Sequence, residues 1–516
     1  MMMDEKQRHF QAELTPFPYK RGIGLLLPLF SLPSPYGIGT LGKAAFDFID
    51  YLHRAGIGYW QILPIGPTTF GNSPYSSLSS YGGNPLFLDL DELTNKGLLK
   101  EEEKDHCKVE DPSRVDYSAL YKNRPPLFRK AFDRFKKKKE EDLTLAMDYE
   151  GFLQENDDWL RDYALFCVIR KKQGQKPWTI WPKELKDRED EAILAFEKAH
   201  ENDLQYEKFL QFIFFQQWEK LKSYAHQKGI SLIGDFPIYL ALDSADVWKN
   251  PDLFQLDEKG NPLFVSGAPP DYYNEDGQKW DNPLYHWPAI QAEGYSFWTS
   301  RLRFSLKRFD LLRLDHFLGY EHYWKIPAGD PTARGGFWEK GPGLELFQAL
   351  ESALGPLPFF AEDLGAVDEK VIALREKTGF AGMCPIEFAF SSKDSPYLPH
   401  HYLRRSVACT STHDSEPLKG WWDHQDPWRR EEVRAYFHLT EEEDVPWAIM
   451  RALSLSRADL CLFSMQDILG LGNEGRINVP GTVGENWTWR MLPDYQCFGR
   501  EEELKKLSKE SGRFHE

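Results

Sequence analysis

Three short segments of the chain each lead from apolar residues directly into an acidic residue. They are LLRLDHF at 311–317, PFFAEDLG at 358–365 and VACTSTHD at 407–414, and they carry Asp315, Glu362 and Asp414. Residues two apart in a strand share a face, so Arg313 would lie beside Asp315. Carboxylates that converge at one end of a parallel barrel suit glycosidic bond cleavage, because one protonates the leaving oxygen while another attacks or stabilises the anomeric carbon. The pattern therefore indicates a glycoside-processing enzyme.

Each segment taken alone also has a purely structural interpretation. Arg313 and Asp315 would form an ion pair within one strand, and Asp414, which follows Ser411 and Thr412, would cap the start of a helix. The three segments, however, recur at spacings of about 50 residues, the repeat expected of alternate βα units in a barrel. This regular spacing favours one shared site.

A metal-dependent hydrolase on the same barrel is a second alternative. Asp315, His316, His413 and Asp414 would then be the ligands, since imidazole and carboxylate groups suit several divalent metals. None of the 14 histidines forms a His-x-His pair, however, and no His-Glu-x-x-His helix occurs. The sequence therefore does not predict a metal site.

Length and charge limit the function classes further. The 516 residues greatly exceed the roughly 250 of a bare (β/α)8 barrel, so about half of the chain must be insertions or extensions. The formal charge of −17 argues against nucleic acid or an anionic membrane as a partner, because an acidic surface repels both. A neutral substrate is not repelled by this negative charge.

The cysteines and the N-terminus predict a cytoplasmic protein. The six cysteines have no Cys-x-x-Cys spacing and lie far apart, as reduced thiols of a cytosolic protein do. The N-terminal MMMDEKQRHFQAEL lacks the apolar core of a signal peptide, and the longest apolar run, GIGLLLPLF at 22–30, is too short to span a bilayer. Nothing in the sequence predicts the oligomeric state.

Short apolar runs rich in strand-forming residues recur along the chain, with helical stretches between them. They lie at Gly22–Phe30, Tyr59–Ile65, Ser231–Ile238, Leu311–Phe317, Pro358–Leu364, Gly379–Phe388, Val407–Thr412 and Leu460–Ile468. Eight strands that alternate with helices predict an α/β fold, a (β/α)8 TIM barrel over residues 20–500.

Two of the stretches between predicted strands are much longer than a single crossover helix requires. Residues 95–205, between the second and third strands, are helical in pattern and highly charged, and they predict an inserted helical subdomain. Residues 243–290, between the third and fourth strands, are rich in Pro, Gly, Asp and aromatic residues. Long loops of this kind above a barrel mouth are commonly functional, so this stretch predicts a lid.

Several long motifs are distributed along the whole chain. They are GIGLLLPLFSLPSPYGIGTLG near the start, SPYSSLSSYGGNPLFLDL at 73–90, GDFPIYLALDSADVW at 234–248, GAPPDYYNEDGQKWDNPLYHW at 267–287, and QDILGLG and NVPGTVGENWTWR near the end. With these motifs the chain resembles the amylomaltases, which are 4-α-glucanotransferases or disproportionating enzymes of the α-amylase clan. The resemblance implies a barrel with inserted subdomains, no C-terminal β-domain, no cofactor, and maltooligosaccharides and α-1,4-glucans as substrates.

The resemblance also implies roles for individual residues. Asp315 would be the nucleophile, Glu362 the general acid/base and Asp414 the stabiliser of the transition state. The implied sugar contacts of the donor subsite are Tyr75, Asp235, Arg313, His316, Asp363 and His413, with Asn478 nearby. The implied acceptor-side residues are Gln278, Trp280 and Phe388, and the loop from Gly267 to Trp280, with Tyr272 and Tyr273, resembles the mobile lid of the family.

Several positions depart from the usual family pattern. Leu318 stands where an Arg often occurs, Ser415-Glu416-Pro417 replaces a more typical Asn-Asp-Thr, Gly475 replaces an Ala, and Phe70 stands where some members have a Tyr. The three acidic residues are intact, which argues against a non-catalytic glucan-binding protein. An α-glucan hydrolase of the same clan remains the alternative, because transferase and hydrolase share the first displacement and differ in whether sugar or water completes the second.

Overall fold

A computed structural model describes residues 19–69, 71–271, 274–497 and 499–514. The N-terminal segment MMMDEKQRHFQAEL, used above to predict the compartment, therefore lies entirely outside the described residues. So do Phe70 and the two tyrosines expected in the lid, Tyr272 and Tyr273.

The described residues form twelve strands, and eight of them make the barrel. The strands are β1 (Gly22–Leu26), β2 (Tyr59–Gln61), β3 (Ser231–Phe236), β4 (Phe264–Ala268), β5 (Gln278–Pro283), β6 (Leu311–Leu314), β7 (His322–Pro327), β8 (Phe337–Lys340), β9 (Phe359–Ala361), β10 (Ala381–Pro385), β11 (Ser406–Cys409) and β12 (Leu460–Ser464). The barrel is closed, with the order β1-β12-β11-β10-β9-β6-β3-β2, and neighbouring strands are parallel. The predicted (β/α)8 barrel is confirmed.

Each predicted strand run contains one barrel strand, but the strands end earlier than the apolar patterns do. The run Gly379–Phe388 yields β10, which ends at Pro385 and continues as the 3-10 helix Ile386–Ser391. The run Leu460–Ile468 yields β12, which continues as a helical turn from Met465. The chain turns away from the sheet at these points, which carries the following side chains into the barrel mouth.

Eighteen α-helices, together with short 3-10 helices, complete the described fold. They are α1 (Lys43–Arg54), α2 (Leu90–Asn95), α3 (Tyr117–Glu141), α4 (Leu143–Glu155), α5 (Asp157–Lys172), α6 (Lys183–Lys186), α7 (Asp190–Ala199), α8 (Glu201–Gln227), α9 (Ala245–Lys249), α10 (Trp287–Ala292), α11 (Ser296–Arg308), α12 (Leu344–Leu354), α13 (Glu369–Thr378), α14 (Leu418–Asp423), α15 (Pro427–Phe437), α16 (Val445–Leu455), α17 (Met465–Ile468) and α18 (Glu501–Glu510). None of the helices in the described ranges is long and apolar enough to cross a membrane.

The stretch between β2 and β3 holds seven of these helices, α2 to α8. Six of them lie wholly or mostly before residue 200. The boundary expected at residue 205 falls inside α8, which starts at Glu201 and continues to Gln227, shortly before β3 begins. The long apolar face of α8 packs on the barrel side, so this helix serves as the crossover between β2 and β3 as well as part of the helical stretch.

A second sheet stands beside the barrel, which the sequence patterns did not predict. Its four strands have the order β5-β4-β7-β8 and are antiparallel. Strands β4 and β5 lie within residues 243–290, which were expected to be a loop, whereas β7 and β8 lie between barrel strands β6 and β9. The loop expected to act as a lid is therefore the connection of a β-hairpin.

The barrel interior explains why the acidic residues face the mouth. It is filled by Tyr59, Ile233, Leu311, Phe360, Ala381, Met383, Val407, Cys409, Leu460 and Leu462. Leu312 and Leu314 instead pack outward in the larger core. Strand side chains alternate between faces, so residues two apart share a face. Arg313 and Asp315 therefore point to the same side as Leu311, and Glu362 points to the same side as Phe360.

Candidate active site

A cavity of about 1810 Å³ opens at the carboxyl ends of the barrel strands. This is the face on which parallel barrels hold their chemistry. Ten of the thirteen predicted site residues line it: Tyr75, Gln278, Trp280, Arg313, Asp315, His316, Glu362, Phe388, Asp414 and Asn478. Residues of the helical stretch, among them Tyr121 and Tyr206, line the far part of the cavity.

Arg313 lies at the centre of the site. Its Nη1 donates to both oxygens of Asp235 at 2.8 Å and to Oδ1 of Asp315 at 2.9 Å. Its Nη2 is 3.8 Å from Oε2 of Glu362. One buried guanidinium thus contacts three carboxylates, which offsets the cost of burying several negative charges together.

The backbone after β6 is shaped to hold Glu362. His316 has φ 48° and ψ 55°, the left-handed region, which a non-glycine residue seldom adopts. In this conformation its backbone N–H donates to Oε2 of Glu362 at 2.6 Å, and the next N–H, of Phe317, donates to the carbonyl of Glu362 at 2.9 Å. The turn after β6 therefore fixes the carboxyl at the end of β9.

Burial and the neighbouring charges give the carboxyls of Asp315 and Glu362 different pKa values. Burial raises the pKa of Glu362 to about 8, with Asp315 adding to the rise and Arg313 opposing it. Burial also raises the pKa of Asp315, to about 6, while Arg313 opposes the rise and Asp235 adds to it. Near neutral pH, Glu362 is mostly protonated and Asp315 is mostly ionised, so the pair offers a proton donor beside a nucleophile.

Asp414 is held as an anion. Its Oδ1 accepts a hydrogen bond from Asn478 at 2.7 Å, and its Oδ2 is 3.2 Å from Nε2 of His413. Burial alone would raise the pKa of Asp414, but His413, Asn478 and Arg313 outweigh it and lower the pKa to about 2. Asp414 thus stays negatively charged throughout the pH range in which the other two carboxyls titrate.

Tyr75, Asp235 and His413 form a cluster beside these carboxylates. The Tyr75 hydroxyl donates to Asp235 at 2.8 Å, and its ring stacks on His413 with centroids 5.1 Å apart. Asp235 and His413 are themselves buried and do not line the cavity, so their contacts are with Tyr75, Arg313 and Asp414. They position the residues that face the cavity.

Aromatic and amide side chains line the cavity beside His316. The ring of Trp280 meets His316 edge-on at 4.8 Å, and its Nε1 donates to the Gln278 side chain at 3.1 Å. Burial and the Arg313 charge lower the pKa of His316 to about 4, so its imidazole is neutral. Its buried Nε2 has no hydrogen-bonding partner in the structure, which leaves it free for a ligand hydroxyl. Phe388, on the 3-10 helix after β10, lies at the rim and is 39% exposed.

Comparisons with known proteins identify the family of this chain. A sequence profile described as 4-alpha-glucanotransferase matches residues 27–494. The chain belongs to the 4-alpha-glucanotransferase family. The resemblance predicted from the motifs is confirmed, and so is the activity: the chain is an enzyme that acts on α-1,4-glucans by transfer, and hydrolysis is not favoured.

Family relatives match over nearly the whole chain. The 4-alpha-glucanotransferase of Thermus thermophilus is 43% identical over 485 residues, which cover 92% of this chain and 95% of that protein. The chloroplastic/amyloplastic enzyme of Solanum tuberosum is 39% identical, with 95% and 85% covered. The structure of the amylomaltase from Streptococcus agalactiae, solved in complex with acarbose, has a TM-score of 0.93 at 36% identity and covers 96% of this chain and 100% of that one.

Three of the predicted sugar contacts of the glucanotransferase site lie outside the cavity lining: Asp235 and His413, described above, and Asp363. Asp363 follows β9 one residue after Glu362, so it points to the other face, away from the cavity. One of its oxygens accepts from Arg375 and the other accepts from the backbone N–H of Met383 at 2.9 Å. Asp363 lies outside the cavity lining and joins β9 to α13 and β10.

The glucanotransferase cavity also contains a carboxyl that the sequence patterns did not identify. Glu387 lines the cavity beside Phe388, and burial raises its pKa to about 7. Its position inside the apolar run IEFAF hid it, because that run was interpreted as the end of a strand. Within the described residues no group of three or more His, Cys, Asp or Glu side chains is arranged to hold a metal ion.

Proposed function

We propose that this 4-alpha-glucanotransferase transfers α-1,4-glucan segments between maltooligosaccharides by a retaining double displacement. Asp315 is the nucleophile, Glu362 the general acid/base and Asp414 the stabiliser of the transition state. The observation that carries the proposal is the contact of one guanidinium, Arg313, with both Asp315 and Glu362. Two carboxyls that share a partner are close neighbours, as retention of configuration requires.

The first displacement follows from the protonation states. Protonated Glu362 donates its proton to the glycosidic oxygen while ionised Asp315 attacks the anomeric carbon, which breaks the C–O bond and forms a glycosyl-enzyme. Positive charge develops on the sugar ring as the bond breaks. Asp414, which remains ionised, interacts more strongly with this charge in the transition state than with the neutral substrate.

The second displacement reverses the roles. Glu362, now ionised, removes the proton from the attacking hydroxyl of an acceptor sugar, and that oxygen replaces Asp315 at the anomeric carbon. Two inversions at one carbon restore the α configuration. The backbone N–H of His316, which donates to Glu362, supports the carboxylate form at this stage.

The remaining lining residues support recognition of a neutral sugar chain. The rings of Tyr75 and Trp280 offer apolar faces for sugar C–H groups, and Gln278, Asn478 and neutral His316 offer hydrogen bonds without adding charge. The acarbose complex of the Streptococcus agalactiae amylomaltase supports an oligosaccharide ligand for this chain. We place Tyr75, Arg313, His316 and Asn478 on the donor side and Gln278, Trp280 and Phe388 on the acceptor side.

Maltotriose as the only substrate tests the proposed activity. Transfer is expected to produce glucose together with a ladder of maltooligosaccharides longer than maltotriose, because the glycosyl-enzyme is intercepted by a second sugar. The products are separated by chromatography during the first few per cent of conversion. Maltose and glucose without any longer product would mean that water intercepts the intermediate, and would reject the transferase proposal.

The hairpin loop between β4 and β5 is the proposed lid. Ala268, Pro269, Pro270 and Asp271 line the cavity from its start. Its other end is tied down, since the Arg334 Nε donates to Asp276 at 2.7 Å and the Ala333 backbone N–H donates to the Asp276 carbonyl at 3.0 Å. A cover that is anchored at one end and lies over the mouth at the other would exclude water and position the acceptor.

Deleting residues 270–274 tests the lid. We expect transfer to fall sharply and the fraction of glycosyl-enzyme captured by water to rise, because the shortened hairpin no longer covers the mouth. Reducing-end release and chain redistribution are measured on the same maltooligosaccharide. A matched control replaces Glu258 and Lys259, two exposed residues of the preceding turn that lie outside the cavity lining, by glycine. An unchanged ratio of transfer to hydrolysis in the deletion variant would argue against a lid.

We also propose a domain organisation and a compartment for this chain. We assign residues 20–500 to the catalytic barrel, 95–205 to the inserted helical subdomain and 243–290 to the lid region. The six cysteines are free thiols, which supports a reducing compartment and hence the cytoplasm.

A further inference from the structure

The chain that follows β12 returns to the barrel mouth beside the loop that carries Asp414. It forms the short helix α17 and then a 3-10 helix, Asn473–Gly475, before it reaches Arg476 and Asn478. The side chain of Asn478 donates to Oδ1 of Asp414 at 2.7 Å. A segment from another barrel unit, residues 473–478, thus supplies one of the side chains that hold the Asp414 carboxylate.

Arg476 connects the main chains that carry these two side chains. Its Nε donates to the carbonyl of Asn478 at 3.0 Å, and its Nη2 donates to the carbonyl of Asp414 at 3.1 Å. Nε and Nη2 belong to one planar, rigid group, so that group sets the spacing between the two carbonyl oxygens. The side chains of Asp414 and Asn478 are bonded to each other and their carbonyls to one guanidinium, which closes a ring of hydrogen bonds.

Glu416 holds the guanidinium in this place. Its Oε1 is 3.7 Å from Nη1 of Arg476, and it also accepts from the Asn473 side chain at 2.7 Å and is 3.0 Å from Nδ1 of His424. Asn473 can come this close because Gly420 has no side chain: a Cβ there would lie 2.4 Å from the Asn473 side-chain oxygen. Glu416 therefore offsets the charge of the guanidinium and links it to the start of the same segment.

Arg476 itself lies behind the residues that face the sugar. Asp414 and Asn478 line the cavity, whereas Arg476 lies outside the cavity lining. An effect of Arg476 on the reaction would therefore act through the positions of these two residues. The Arg476 side chain is 23% exposed, so small solutes can reach the place that its guanidinium occupies.

We propose that Arg476 is a positioning residue for Asp414 and Asn478. This inference rests on the proposed role of Asp414 in transition-state stabilisation. The guanidinium fixes the spacing of the two main chains, so that the Asn478 amide holds the Asp414 carboxylate in the orientation that the sugar ring meets. Misplacement of a transition-state group by about 1 Å is enough to lower turnover about 10²-fold. A group that acts mainly in the transition state changes kcat more than KM.

Two substitutions of Arg476 test the proposal. Arg476→Ala is expected to lower kcat for maltotriose transfer by about 10- to 100-fold, with KM within about threefold. Arg476→Lys keeps the charge but has one ammonium group in place of the rigid fork, so it should recover only a small part of this loss. Initial rates over a range of maltotriose concentrations give both constants. A wild-type kcat in either variant, or a rise in KM without a fall in kcat, would overturn the proposal.

Guanidinium added in solution provides a readout that a general loss of stability would not give. Arg476→Ala leaves two carbonyl oxygens and the Glu416 carboxylate around a site of guanidinium size. Guanidinium chloride at tens of millimolar, far below the molar concentrations that unfold proteins, is expected to raise the kcat of Arg476→Ala several-fold and to leave the wild-type kcat unchanged. Sodium chloride at the same concentration controls for ionic strength. A variant that responds equally to both salts would contradict the proposal.

Arg114 offers a matched control on the same segment. Its Nη2 donates to the carbonyl of Glu474 at 2.9 Å, two residues before Arg476, and it lies outside the cavity lining. Arg114→Ala therefore removes another arginine that holds a backbone carbonyl of this segment. It is expected to keep the wild-type kcat and to show no response to guanidinium. An equal loss of kcat in Arg114→Ala and Arg476→Ala would mean that only the docking of the segment matters, and would reject the specific role of Arg476.

Asp414→Asn separates this proposal from its premise. If Asp414→Asn keeps full activity, the proposed role of Asp414 in the reaction fails. If it abolishes activity while Arg476→Ala does not reduce it, only the role of Arg476 fails. Thermal unfolding of each variant, followed by circular dichroism, shows whether a loss of kcat occurs in a folded protein.

Discussion

Replacing Asp315 by asparagine is expected to abolish turnover while leaving a folded protein that still binds maltooligosaccharides. An asparagine amide cannot form the glycosyl-enzyme. Because catalytic residues act as a unit, the loss of one costs about as much as the loss of all, so we expect a fall in kcat of about 10³-fold or more. The fold should survive because Arg313 keeps both hydrogen bonds to Asp235. Initial rates on maltotriose and calorimetric titration with a longer maltooligosaccharide measure the two effects.

Asp310 offers a matched control for this substitution. It lies just before β6, at the opposite end of the strand that leads to Asp315, and its carboxylate accepts from the backbone N–H of Leu232 at 2.8 Å. Asp310→Asn keeps an acceptor oxygen for that bond and should keep wild-type turnover. Retention of more than about a tenth of the activity by Asp315→Asn would remove Asp315 from the nucleophile role.

Replacing Glu362 by glutamine is expected to lower the rate on maltotriose by about 10²- to 10⁴-fold, the range typical of a positioned proton donor. The amide oxygen can still accept from the His316 N–H, so the site keeps its shape. A glycosyl fluoride donor needs little protonation of its leaving group, and the variant should recover much of its first displacement with that donor. An equal deficit on both donors would contradict the acid role.

The pH profile provides a second measurement on the same variant. In the wild-type enzyme the acid form of Glu362 is lost as the pH rises through about 8, and the ionised form of Asp315 is lost as the pH falls through about 6. Activity should therefore be highest between these values and fall on both sides. The residual activity of Glu362→Gln should lack the alkaline decline and keep the acid one. An alkaline decline that persists in the variant would assign it to another group.

The barrel and its acidic residues were predictable because two simple signals agree in this chain. Each barrel strand is a short apolar run, and Asp315 and Glu362 stand where the runs of β6 and β9 stop. The alternation of strand side chains, applied to LLRLD, also predicted that Arg313 would accompany Asp315 into the mouth. The same alternation, applied to FFAED, separates Glu362 from Asp363. The family resemblance implies that Asp363 contacts the sugar, whereas the structure places its carboxylate against Arg375 and the backbone of Met383.

Other features depend on contacts that local patterns do not contain. Strands β7 and β8 are stabilised by pairing with each other and with β4, which lies more than fifty residues earlier in the chain. Glu387 lines the cavity because the chain leaves the sheet after β10 and continues as a 3-10 helix. The left-handed backbone of His316 is likewise set by its hydrogen bond to Glu362 and by the surrounding fold, since a non-glycine residue seldom adopts that conformation.

The second sheet has a consequence for exchanging parts between related enzymes. The strands that flank the proposed lid, β4 and β5, come from the unit after β3, but their support, β7 and β8, comes from the unit after β6. Along the chain, β7 and β8 lie between Asp315, which follows β6, and Glu362, which follows β9. A chimaera that receives a new hairpin alone would keep a mismatched partner sheet. The lid region and residues 322–340 therefore form one transferable module made of two separate pieces of sequence, and natural variation in one is expected to accompany variation in the other.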